Sequence, residues 1–101
     1  MSTQRSKKQP NVFETLGFPP AEAEHLRVRA ELLVALQENV RKRALTQSAA
    51  AKLLGVSQPR VSNLLSGRLD LFSADALIEL LARVGIGVSV TLKPLRPGRV
   101  A

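Results

Sequence analysis

Residues 55–67 read GVSQPRVSNLLSG, and within them Gln58, Arg60, Ser62 and Asn63 carry the side chains best suited to chemistry in this chain. That chemistry is recognition. A carboxamide offers a donor and an acceptor side by side, matching the N6 and N7 edge of adenine, while a guanidinium matches guanine or a phosphate. A serine hydroxyl reaches either a base edge or a phosphate. Catalysis is poorly provided for. There is no cysteine and only one histidine, His25, so neither a thiolate site nor a histidine cluster for a metal can be assembled within one chain. Ser57 and Ser62 have no evident base to activate them. No catalytic residue, metal ligand or cofactor is expected, and the chain is read as a binding protein and not an enzyme.

Such side chains work together only if one element presents them, so the flanking residues must supply that element. Thr46 is placed to cap a helix over Gln47–Leu54, with Ala50, Leu53 and Leu54 inward and Gly55 ending it in the left-handed region. Ser57 then caps a helix from Gln58 to about Ser66. Pro59 falls in its first turn, where a missing amide hydrogen is tolerated. Val61, Leu64 and Leu65 face the core, and Gly67 stops the helix. Two short helices around a glycine-containing turn match a helix-turn-helix, here residues 46–67. Ala50 and Ala51 permit the close approach that the tight corner demands, and Val56 and Val61 fill it. The first helix is expected to cross the DNA backbone and the second to place its N-terminal residues at base edges.

The rest of the chain supports this motif. Residues 11–85 form the expected helical domain, preceded by a flexible basic arm at 1–10 that carries Arg5, Lys7 and Lys8. Val12, Phe13, Leu16 and Phe18 form one apolar turn closed by Gly17. A long helix runs from Ala21 to Ala44, with Leu26, Ala30, Leu33, Val40 and Ala44 on its buried stripe and Leu32 and Leu36 widening it. Ser73 caps a further helix to Val84, closed by Gly85. The period then changes. Ile86, Val88, Val90 and Leu92 alternate with Gly87, Ser89, Thr91 and Lys93, which predicts a strand over residues 86–94, followed by a tail at 95–101. With no Trp or Tyr and three Phe, the core is expected from Leu, Val, Ile and Ala.

Charge points to the partner. The chain has 101 residues and a formal net charge of +7, and between Glu38 and Asp70 every charged residue is basic. Arg43, Gln47, Lys52, Ser57 and Arg68 are the expected contacts to the DNA backbone, with the free amides at the start of the Gln47 helix suited to a phosphate. The run Arg41–Lys42–Arg43 suits DNA equally well or simply complements the helix dipole. No apolar stretch approaches membrane-spanning length, and a cytoplasmic protein is expected.

The segment LTQSAAAKLLGVSQPRVSNLLSGR resembles the Xre-type helix-turn-helix of phage lambda-like repressors, through its LTQ opening, GVSQPRVS corner and LLSG exit. That resemblance covers about residues 33–85 and implies a mainly α, lambda-repressor-like fold. It implies that Gln47 positions the backbone, that Gln58 reads a base and that Asn63 holds the second reading position. Pro59 stands where other repressors carry a polar reader. NVFETLGFPPAEAEHLRVRAELL and GRLDLFSADALIELLARVG resemble HigA-type antitoxins. That likeness implies a transcriptional regulator that represses its own operator and neutralises a toxin of the RelE or HigB kind. An alternative puts toxin binding first. The expected partners are thus double-stranded DNA with a palindromic operator, a second copy of the chain and a toxin. Val88, Val90 and Leu92 are the expected dimer contacts, through an antiparallel pairing of the two strands across a twofold axis. Pairing of the strand with the toxin or with residues 11–18 is the other possibility.

Overall fold

The computed structural model describes residues 11–95; the basic arm at 1–10 and residues 96–101 of the tail lie outside the described residues. Among the described residues five α-helices follow one another: α1 (Val12–Thr15), α2 (Pro20–Lys42), α3 (Gln47–Leu54), α4 (Gln58–Leu65) and α5 (Ala74–Arg83), with a 3-10 turn at Leu69–Leu71 before α5. Their starts are chemically specified. Asn11, Thr46, Ser57 and Ser73 each accept a hydrogen bond from a backbone N–H two or three residues on, so the first turns of α1, α3, α4 and α5 carry side-chain caps.

The described chain forms two compact units. In the one built from residues 11–28 and 91–95, α1 is a single turn. Asn11 fixes it twice, accepting from the Phe13 N–H at 2.9 Å and donating to the Ala23 carbonyl at 3.0 Å. Phe13 and Phe18 meet edge to face with centroids 6.3 Å apart. Glu24 and Arg27 pair at 2.7 Å, and this bond holds the Glu24 carboxyl below its ordinary range. Val12 and Leu16 remain exposed.

The other unit, Arg29–Val90, contains the main core: Leu33, Leu36 and Val40 from α2, Ala50, Ala51 and Leu54 from α3, Val61 and Leu64 from α4, and Leu77, Leu80 and Leu81 from α5. Leu36 is fully buried, at the centre of the α2 stripe and not on its margin. Phe72 corrects the expectation of a wholly aliphatic core, because it is the largest fully buried side chain and comes from the connection after the 3-10 turn. No helical periodicity marks that position.

Two further expectations are corrected. Helix α2 stops at Lys42, and Ala44 is exposed with φ +54°, so it turns the chain toward Thr46 instead of extending the buried stripe. The mainly helical fold stands, but the strand over 86–94 does not form. Among the described residues there is no strand, and Val88, Val90 and Leu92 are exposed. The physical reason is that a ladder needs a second extended segment. Residues 12–15, within one possible partner, are helical. The Ile86 N–H instead bonds the Leu81 carbonyl at 2.9 Å, closing the end of α5.

Backbone strain at these turns gives opposed expectations. Gly55 has φ +72°, and an added Cβ would collide with the Arg83 guanidinium. Gly55→Ala should destabilise the fold by about 1–3 kcal/mol. Ala44→Gly should stabilise it by about 0.5–1 kcal/mol by relieving a left-handed alanine. Urea unfolding of the two variants against wild type checks both signs.

Candidate nucleic-acid interface

The corner between α3 and α4 decides which residues face outward. Ala50 and Ala51 are buried and small, so α4 comes close enough for Val61 and Leu64 to reach Leu54 in the core. Gly55 makes the reversal, and its N–H and that of Val56 both bond the Ala51 carbonyl, at 2.8 and 3.0 Å. Ser57 Oγ then accepts from the Arg60 N–H at 3.2 Å and starts α4. With 3.6 residues per turn, burying Val61 and Leu64 turns Pro59, Ser62 and Asn63 away from the core and puts Gln58 at the side of the helix. Gln58, Pro59 and Ser62 are exposed, and Asn63 is half-buried.

Among the described residues, the side chains of Gln58, Ser62 and Asn63 have no hydrogen-bond partner, and those of Gln47 and Lys52 on α3 have none either. Gln47, Lys52 and Ser57 are exposed. The site thus holds a row of donors and acceptors that the fold does not use.

The arginines behave differently. Arg60 donates from Nη1 to the Leu71 carbonyl at 2.8 Å and lies 4.0 Å above the centre of the Phe72 ring. Arg43 donates to Asn39 Oδ1 at 3.1 Å and to the Val84 carbonyl at 3.0 Å, at the end of α5. Arg68 grips both carboxylate oxygens of Asp70, at 3.1 and 3.0 Å. That bond holds the Asp70 carboxyl below, and the Arg68 guanidinium above, its ordinary range. Three arginines grouped by sequence with the readers or the backbone contacts are therefore engaged within the chain.

Helix α2 supplies a set of functional donors that the sequence reading missed. Arg29 donates to the carbonyls of Phe72 and Leu69, at 3.1 and 2.7 Å. Gln37 donates to the Leu64 carbonyl at 2.8 Å, and Arg41 to that of Leu65 at 2.9 Å. The last two bond carbonyls at the C-terminal end of α4, that of Leu64 also accepting from the Gly67 N–H at 3.1 Å. A signal existed in the spacing. Arg29 and Gln37 fall within the stripe marked by Leu33, Leu36 and Val40, where a polar side chain must have a partner.

Carbonyl capture leaves the positive charge of Arg29, Arg41, Arg43 and Arg60 in place, since a carbonyl accepts a hydrogen bond without neutralising the donor. Arg68, by contrast, faces the carboxylate of Asp70, which offsets its field. Lys42 and Lys52 add exposed charge. Among the described residues, no group of acidic, histidine or cysteine side chains could hold a metal ion, and no helix is long and apolar enough to cross a membrane.

Comparisons with known proteins agree with this architecture. A family model described as a helix-turn-helix domain matches residues 12–93. A solved chain whose name assigns it to the XRE family of transcriptional regulators is 32% identical to this one. The match covers 79% of this chain and 90% of that one, with a TM-score of 0.67. No match is found among curated proteins.

The division between engaged and unengaged polar residues is testable without DNA. Arg29→Ala should cost about 1.5–3 kcal/mol, the range for hydrogen bonds from a charged donor. Gln58→Ala should change stability by no more than about 0.5 kcal/mol. Chemical denaturation of the two variants side by side measures both.

Proposed function

Because the chain belongs to the XRE-type helix-turn-helix family of DNA-binding transcriptional regulators, we propose that it is a repressor whose α4 reads the major groove of a palindromic operator. The observation that carries this reading is the outward row of Gln58, Ser62 and Asn63, exposed or half-exposed, whose side chains have no hydrogen-bond partner among the described residues. Polar groups left wet in the free protein exchange water for base edges at little net desolvation cost, and each good bidentate pair is worth about 1–3 kcal/mol. Gln58 and Asn63 are the proposed readers of adenine, with Ser62 between them.

Backbone contacts set the register. Gln47 and Lys52 on α3 and Ser57 at the start of α4 are exposed and available for phosphates. Arg43 would reach a phosphate only by leaving the Val84 carbonyl. Arg68 would do so by sharing its guanidinium with Asp70. Repression follows from occupancy, since a protein seated in the groove excludes polymerase from the same DNA.

The proposal includes a homodimer. Val88, Val90 and Leu92 are exposed at 39%, 76% and 89%, and a second copy docking there would remove apolar surface that this chain leaves wet. Twofold symmetry would present two α4 helices to half-sites roughly 34 Å apart. A second reading, an antitoxin acting mainly by binding a toxin of the RelE or HigB kind, is favoured by the exposed Val12 and Leu16 of α1, which a protein partner would cover.

Selection of bound duplexes from a random DNA pool tests the reading. The expected result is an enriched inverted repeat with half-sites about one helical turn apart. Against that duplex, Gln58→Ala and Asn63→Ala should each weaken binding by about 1–3 kcal/mol and relax preference at one base pair. Lys52→Ala should reduce the salt slope by about one unit for every sequence. Recovery of no enriched sequence would overturn the repressor reading in favour of the protein-binding one.

A further inference from the structure

We propose that Arg60 is a positioning residue that clamps the start of α4 to the connection before α5, and so sets the orientation in which Gln58 meets DNA. This rests on the DNA-reading role of α4. Arg60 lies in the first turn of α4, where a positive side chain opposes the helix dipole, so its place there needs another reason. The structure supplies one. The Arg60 guanidinium hydrogen-bonds the Leu71 carbonyl at 2.8 Å and stacks on Phe72 with its central carbon 4.0 Å from the ring centre. A guanidinium does both at once because its face is free while its edge donates; an ammonium has no such face.

The anchor on the other side of the contact is itself fixed. Phe72 is fully buried, and Arg29 of α2 bonds the carbonyls of Phe72 and Leu69. Arg60 therefore ties the front of α4 to a segment that α2 holds in place. The far end of α4 is held by Gln37 and Arg41 through the Leu64 and Leu65 carbonyls. A helix restrained at both ends presents its readers with little freedom to tilt, which lowers the ordering cost of binding. Gln58 and Pro59 precede Arg60 in the same turn, so they are the residues that its release would move first.

The test uses the full chain, with Arg60→Met, Arg60→Lys and Phe72→Leu compared by titration against the duplex that wild type selects from a random pool. Positioning predicts that Arg60→Met weakens binding by about tenfold, with the salt slope and the base preferences unchanged. Arg60→Lys restores charge without the stack and should bind as weakly as Arg60→Met. In protein free of DNA, Arg60→Met should also speed amide exchange at Val61 and Ser62, and Phe72→Leu should do the same. A salt slope lower by about one unit that lysine restores would make Arg60 a phosphate contact and overturn the proposal. Loss of preference at a single base pair would make it a reader, with the same consequence. Unchanged exchange at Val61 and Ser62 in the free Arg60→Met protein would remove the clamp outright. If wild type selects no duplex, the DNA-reading role fails, while the exchange measurement still decides whether the clamp exists.

Discussion

The close approach of α3 and α4 is the constraint on which the rest of the site depends. It requires two alanines, Ala50 and Ala51, where the helices meet and a residue free to take φ +72° at position 55. Once those conditions hold, Val61 and Leu64 have one direction in which to bury, and each gains roughly 1.5–3 kcal/mol by doing so. The rotation of α4 about its axis is then settled. Gln58 and Ser62 are exposed because their neighbours are buried, so the outward row is a consequence of apolar packing and needs no interaction of its own to hold it.

Around that corner, the polar residues divide into two economies. Arg29, Gln37, Arg41, Arg43 and Arg60 satisfy backbone carbonyls at helix ends and in the 69–72 connection. The side chains of Gln47, Lys52, Gln58, Ser62 and Asn63 have no hydrogen-bond partner among the described residues. The first group adds rigidity, and its four arginines keep their positive charge, which draws a polyanion toward the surface while the hydrogen bonds stay inside. The second group is free to discriminate. In a small domain this separation lets cationic residues serve the fold and the electrostatic field together.

Much of this was legible in the sequence, because local rules govern it. Thr46, Ser57 and Ser73 cap the helices they precede, and Gly55 takes the left-handed conformation expected at the end of α3. The outward exposure of Ser62 follows from the helical period, and Gln58 is exposed at the first position of its helix. What the sequence concealed depends on distant partners. Arg29 meets carbonyls 40 and 43 positions away, and Arg60 meets one 11 away, which no local pattern encodes. Phe72 lies outside any helical stripe, so its burial could be known only from the fold. The alternation over residues 86–93 was real, but alternation describes a face and not a ladder, and the chain supplies no extended partner among its described residues.

The account turns on carboxamides that stand in water until nucleobases replace it. Side-chain amide resonances of Gln58 and Asn63, followed by NMR as the selected duplex is added, observe that replacement directly. They should shift strongly at saturation while the Arg60 Nε–H signal keeps its place. Unmoved Gln58 and Asn63 signals, with the largest changes instead in α1 or along residues 86–95, would mean that the binding face lies elsewhere.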